Sequence, residues 1–239
     1  MHACALTDVG RRRQTNQDFV FCSEEPVGNL PNLFIVADGM GGHQAGDYAS
    51  RTAVELLLRQ ARKAESHDPI VILKDSVENM NADLWRRSVE DPALSGMGTT
   101  LVAAVISDNC LQVVNIGDSR LYVIGEEIHQ VTRDHSLVEE LVAKGRMERG
   151  SAEYQAKKNV ITRAVGVDER VTADFFEVEL APQEKVLLCS DGLTNMITDD
   201  EIHAIAKRNL PLEERAEALI EAANLSGGRD NITVILIER

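Results

Sequence analysis

The chain has 239 residues, 44% of them hydrophobic, with a formal net charge of −14 and a pI near 4.9. That is enough apolar material for one substantial core, and without a Pro-, Gly- or Ser-rich linker or a solenoid repeat a single domain over residues 1–239 is expected. The acidity argues against nucleic acid or an anionic membrane as main partner, since both demand a basic footprint, and no apolar run approaches the ~20 residues of a membrane span.

In chain order, residues 33–37 form the first short run rich in Val, Ile and Leu and read as a strand. Ala49, Ala53, Leu56 and Leu57 then recur at helical spacing across 46–65, and after His67-Asp68-Pro69 the helical series continues through Ile70, Leu73, Val77, Met80 and Leu84. Strands at 100–106, 111–116 and 121–124 are separated by only a few residues and predict an antiparallel meander. Residues 137–160 carry many charges and few apolar anchors, as expected of a mobile surface flap. A strand at 185–189 precedes helical segments at 199–208 and 212–226, broken at Pro211, and a last strand covers 232–237. Helix hairpins between runs of antiparallel strands do not suit parallel crossovers; they predict a layered α+β fold, with helix pairs covering antiparallel sheets.

Cys4, Cys22, Cys110 and Cys189 show no C-x-x-C spacing. With no secretory signal pattern, reduced thiols in a cytoplasmic protein are the expectation.

Four aspartates stand at the ends of apolar runs, in Val36-Ala37-Asp38-Gly39, Ile116-Gly117-Asp118, Cys189-Ser190-Asp191-Gly192 and Arg229-Asp230-Asn231. One such aspartate is ordinarily a turn residue. Four on neighbouring strand ends, at ~5 Å, would repel pairwise by ~3 kcal/mol at an effective dielectric of about 20, so a cation is required. Carboxylates, a backbone carbonyl and water are the ligands that Mg²⁺ or Mn²⁺ prefers. Gly41-x-x-x-x-Gly46 is not a nucleotide loop, because Asp47 stands where Lys would meet phosphate, and Gln44 breaks a dinucleotide fingerprint. Arg13, in the basic stretch Arg11-Arg12-Arg13, is either one of a solvated cluster or a guanidinium that grips phosphate by two parallel hydrogen bonds. His43 and His135 are the histidines in motif-like surroundings, and a structural role is the commoner one for each.

Read in order, Thr7-Asp8-Val9-Gly10-x-x-Arg13-x-x-Asn16-Gln17-Asp18, Val36-Ala37-Asp38-Gly39-Met40-Gly41-Gly42-His43, Gly96-Met97-Gly98-Thr99-Thr100, Gly117-Asp118-Ser119-Arg120, Ile161-Thr162-Arg163-Ala164-Val165-Gly166, Ser190-Asp191-Gly192 and Gly227-Gly228-Arg229-Asp230-Asn231-Ile232-Thr233 span nearly the whole chain. In these motifs the chain resembles the metal-dependent protein serine/threonine phosphatases, the protein phosphatase 2C or PPM family, in its compact bacterial form. The resemblance implies an α+β fold, a four-layer α-β-β-α sandwich of two antiparallel sheets flanked by helix pairs. It also implies that Asp38, the Gly39 carbonyl, Asp191 and Asp230 ligate two ions, Mn²⁺ or Mg²⁺, and that Asp118 with Asp191 forms a third, weaker site. By the same resemblance Arg13 binds phosphate and Asp18 supports metal-bound water. Two departures stand out: Gln17 where the family commonly has Glu, and Met40 where eukaryotic members have a histidine general acid, with His43 as a substitute candidate.

The resemblance thus implies a protein serine/threonine phosphatase that hydrolyses phosphoserine and phosphothreonine with a metal-bridging hydroxide at a binuclear centre. Its partners would be phosphorylated proteins and, in signalling, an opposing Ser/Thr protein kinase; a monomer is expected. Two alternatives are a catalytically silent phosphoprotein-binding relative and a hydrolase of small phosphate esters.

Overall fold

The computed structural model describes residues 1–42 and 45–239. Its strands are β1 (His2–Asp8), β2 (Asp18–Ser23), β3 (Leu33–Met40), β4 (Gly98–Thr99), β5 (Leu101–Ser107), β6 (Cys110–Ile116), β7 (Arg120–Ile124), β8 (Ile128–Gln130), β9 (Asp174–Glu179), β10 (Lys185–Cys189) and β11 (Ile232–Glu238). The helices are α1 (Ala45–Ala61), α2 (Pro69–Glu90), α3 (Leu137–Ala143), α4 (Ala152–Lys157), α5 (Asp191–Thr194), α6 (Asp199–Ala206) and α7 (Leu212–Leu225).

One antiparallel sheet runs β1-β11-β10-β7-β8 and the other β2-β3-β5-β6-β9, with β4 paired to the end of β3. Alternation along the central strands builds the layers. Phe34 and Val36 of β3 meet Leu188 of β10 and Ile235 and Ile237 of β11 between the sheets. The intervening Leu33, Ile35 and Ala37 face outward onto Ala49, Ala53 and Leu57 of α1 and Leu73, Met80 and Leu84 of α2. On the far side Val234 and Leu236 of β11 pack against Ile202 and Ile205 of α6 and Ala216 and Leu219 of α7. The order is helix pair, sheet, sheet, helix pair: the expected four-layer α+β sandwich. Burial on both faces is why β3 and β11 read as continuous apolar runs. The helices begin where side chains satisfy their first N–H groups: Asp68 accepts from Ile70 N at 2.9 Å ahead of Pro69, and Thr198 with Glu201 makes a capping box on α6.

The expected meander is corrected. β5 and β6 form a hairpin, but β6 next pairs with β9, while β7 crosses to the other sheet between β10 and β8. The crossing is made at Gly117, whose φ of 101° a side chain rarely adopts and where a Cβ would stand 2.6 Å from Thr100 Cγ2. Strands β1, β2, β8 and β9, absent from the sequence-derived set, are largely half-buried or exposed and carry a weaker apolar signal.

Residues 137–160 hold two short helices, α3 and α4, capped by Ser136 and Ser151. Val138 is the buried residue of α3, and α4 contributes none. Among the described residues no helix is long and apolar enough to cross a membrane.

Candidate metal centre

Strand register gathers the acidic residues at one end of the sandwich. Asp18 opens β2 directly opposite Asp38 near the end of β3. In the other sheet Cys189, at the end of β10, faces Arg120 and Val234, which places Asp191, Asp118 and Asp230 just beyond the same edge. A cavity of about 330 Å³ opens there, lined by Arg13, Gln17, Asp38, Gly39, Met40, Thr100, Asp118, Asp191, Asp230 and Asn231, with Asn159 and Ile161 from the flap side. Every expected site residue except Asp18 lines it, and Asp18 is buried behind Asp38.

The supporting groups lie in the same motifs but escaped the sequence reading. Ser190 Oγ and Thr233 Oγ1 both donate to Asp18 Oδ2, at 2.8 and 2.7 Å. Asp38 N donates to Thr100 Oγ1 at 2.9 Å, and Thr99 Oγ1 donates to the Asp38 carbonyl at 2.9 Å. The Asn231 amide donates to the carbonyls of Val9 and Thr15 and accepts from Gln17 N, tying the loop that carries Arg13 to the strand end that carries Asp230. Gly39 has to be glycine because a Cβ would stand 2.1 Å from the Gly46 carbonyl at the start of α1.

Burial dominates the electrostatics. It raises Asp38 well above the ordinary carboxylate range, with Asp18, Asp191 and Asp118 adding repulsion. Asp18 is pushed up to about 7 by burial, although its two hydroxyl donors act in the opposite direction. Asp118 rises to about 8 through burial and the charges of Asp191 and Asp134, and Asp191 to about 6 through burial and Asp230. Asp18 Oδ1 and Asp191 Oδ1 are buried without a hydrogen-bond partner. Groups of this kind call for a cation.

Arg13 Nη2 donates to Asp230 Oδ2 at 2.7 Å, and Asn195 Nδ2 donates to Asp191 Oδ2 at 2.8 Å. Among the described residues no three Asp, Glu, His or Cys side chains aim their donors at one point. The carboxylates share a cavity, with Asp38 and Asp191 within hydrogen-bonding reach of each other and Asp230 held by Arg13. Met40 lines the cavity and has no proton to give, while His43 lies outside the described residues. His135 is structural. Its Nδ1 accepts from Gly117 N at 3.1 Å, so Nε2 carries the proton and donates to Asp174 Oδ2 at 3.1 Å, and burial lowers its pKa.

Comparison with known proteins decides the family. Residues 9–224 match the protein phosphatase 2C family, and the chain is 41% identical to the serine/threonine phosphatase stp of Listeria monocytogenes serotype 4b (strain F2365), covering 100% of this chain and 96% of that one. The chain belongs to the protein phosphatase 2C family. Phosphatases of this family are metal-dependent phosphoprotein phosphatases. Another relative, the protein phosphatase PhpP of Streptococcus pneumoniae serotype 2 (strain D39 / NCTC 7466), is 40% identical over 99% of this chain and 97% of its own. Among solved 2C-type structures, the S. agalactiae serine/threonine phosphatase superposes with a TM-score of 0.90 at 35% identity, covering 99% of this chain and 98% of that one. The catalytic domain of the phosphatase PstP, in complex with two manganese ions, gives a TM-score of 0.85 at 33% identity over 98% of this chain and 96% of its own. The all-oxygen donor set and the unpartnered buried carboxylate oxygens of the present chain fit hard divalent cations.

Proposed function

We propose that the protein hydrolyses phosphoserine and phosphothreonine in other proteins. The observation that carries this is the convergence of Asp38, Asp118, Asp191 and Asp230 with Arg13 on one open cavity at the sandwich end. Asp38, the Gly39 carbonyl, Asp191 and Asp230 are the proposed ligands of two ions, Mn²⁺ or Mg²⁺, with Asp118 and Asp191 holding a third more weakly. When bound, such ions supply Lewis acidity that activates water and offsets phosphoryl charge.

The chain's own residues do the rest. Arg13 leaves Asp230, freeing that carboxylate for a cation, and presents its N–H groups to two phosphoryl oxygens, where their charge counts most as the transition state forms. Asp18, its Oδ2 held by Ser190 and Thr233 and its Oδ1 buried, lies outside the cavity opposite Asp38 and supports the water-binding site from behind. Since Met40 cannot protonate the departing seryl or threonyl oxygen, that proton comes from water or from another residue. The product is an unmodified hydroxyl, so the counterpart reaction is that of a Ser/Thr protein kinase.

The test is phosphate release from a phosphothreonine peptide by metal-stripped protein with and without Mn²⁺, beside Asp38→Ala. Release that requires Mn²⁺ and vanishes in the variant is expected. No release with Mn²⁺, alongside retained peptide binding, would make the protein a non-catalytic phosphoprotein binder. Faster turnover of small phosphate esters than of phosphopeptides would move the substrate class.

A further inference from the structure

On a chain of net charge −14, most arginines near the core are neutralised: Arg51, Arg87, Arg120, Arg163 and Arg215 each sit in an ion pair. Among the described residues Arg11, Arg12 and Arg229 are without such a pair, as are Arg59, Arg62, Arg133, Arg146, Arg170 and Arg208, but these three flank Arg13 and Asp230 in the chain. They are exposed, and among the described residues none has a side-chain hydrogen bond or carboxylate partner. They are also held together by backbone contacts. Arg11 N and Arg12 N both donate to the Gly228 carbonyl, at 2.7 and 3.1 Å. Gly10, at φ +79°, brings the turn so close to Asp230 that a Cβ would stand 2.1 Å from its carbonyl oxygen, and the Arg229 stem lies beside Gly227. The cluster therefore directly precedes Arg13 and Asp230 in the chain, the ion pair whose two residues line the cavity.

An unpaired cationic rim beside an acidic centre has no partner within the fold. We infer that Arg11, Arg12 and Arg229 form an anion subsite for a second acidic group of the substrate chain, a carboxylate or a second phosphate within a few residues of the group hydrolysed. The three are solvent-exposed and contiguous with the mouth, so an extended peptide, advancing about 3.3 Å per residue, reaches them from a phosphate gripped by Arg13. Exposed pairs are individually weak, so the subsite sets preference and not turnover. This inference rests on the phosphatase reading.

The experiment uses Mn²⁺-loaded protein and three phosphothreonine peptides, flanked by Glu, by Gln, or by a second phosphothreonine, with a small aryl phosphate as reference. The Glu and doubly phosphorylated peptides should exceed the Gln peptide roughly three- to ten-fold in kcat/KM, through KM, as expected of several exposed charge pairs. The order of the two acidic peptides tells carboxylate from phosphate. In R11Q/R12Q/R229Q the preference should disappear while aryl phosphate hydrolysis is little changed. Equal turnover of all peptides by the unaltered protein, or an undiminished preference in the triple variant, overturns the inference. Fluorescence anisotropy of the same labelled peptides separates the two claims. If nothing is hydrolysed but acidic peptides still bind more tightly and lose that advantage in the variant, the phosphatase reading falls and the subsite stands; binding without preference removes the subsite as well.

Discussion

Asp38 shows how the site trades stability for chemistry. It is half-buried in the cavity wall, and desolvation together with Asp18, Asp118, Asp191 and Asp230 disfavours its charged form. Asp38→Asn should therefore stabilise the metal-free protein by about 1–3 kcal/mol, because one charge leaves a crowded low-dielectric site. The same change should abolish the rise in melting temperature that Mn²⁺ produces in the unaltered protein. Calorimetry with and without Mn²⁺ checks both, and a destabilised metal-free variant would contradict the repulsion argument. The linked groups also set a pH dependence. Asp18, Asp118 and Asp191 are raised from an ordinary 3.8 to about 7, 8 and 6, so the folded chain binds protons that the unfolded chain has released. Their contribution is complete below about pH 4 and is lost as pH rises through 6 to 8. The urea midpoint of metal-free protein should accordingly fall between pH 5 and 8, and saturating Mn²⁺ should offset the fall. A midpoint that climbs over this range without metal would show that these carboxylates are not raised.

At the scale of elements, the turn from β6 to β7 matters most, because it moves the chain between sheets and delivers Asp118 to the cavity. Its backbone is clamped from both sides: His135 N donates to the Gly117 carbonyl at 2.9 Å, and Gly117 N donates to His135 Nδ1. Gly117→Ala should cost about 2 kcal/mol, since both the positive φ and the contact with Thr100 oppose a side chain. Urea unfolding measures this, and an unchanged midpoint would mean that the turn relaxes freely. The flap is the opposite case. Leu137 N bonds to the Val160 carbonyl and Thr162 N to that of His135, so both ends are pinned, yet little between them is buried. Amide hydrogens of α3 and α4 should exchange much faster than those of β5 and β6. Equal protection would remove the basis for a mobile flap. Exchanging flap charges should reorder phosphopeptides more than it alters hydrolysis of an aryl phosphate.

At the scale of the whole molecule, the sandwich separates two tasks. Its three apolar layers hold the fold, while one open end collects charged loops from both sheets. Much of this was legible in the chain. The central strands announced themselves because burial on both faces demands unbroken apolar runs, and strand-end aspartates followed by glycine or asparagine marked where the chain leaves a sheet for solvent. The helix pairs were legible because one apolar stripe at 3.6-residue spacing is a local property. Edge strands such as β1 and β9 were not, since half-exposed positions tolerate mixed residues.

What the amino-acid order determined by itself was therefore local: which segments are strands or helices, which residues carry ligand chemistry, and the family motifs that contain them. What only the tertiary structure decided was adjacency. That β7 lies in the other sheet from β6, and that Asp18 is held by hydroxyls 172 and 215 residues away, depends on long-range register to which no local pattern refers. The rim of Arg11, Arg12 and Arg229 belongs to the same class: its first two members read as a solvated basic stretch until the fold brought the third beside them. Local propensity acts over a few residues, whereas a site assembled from both sheets exists only once the apolar layers have closed and fixed where each strand ends.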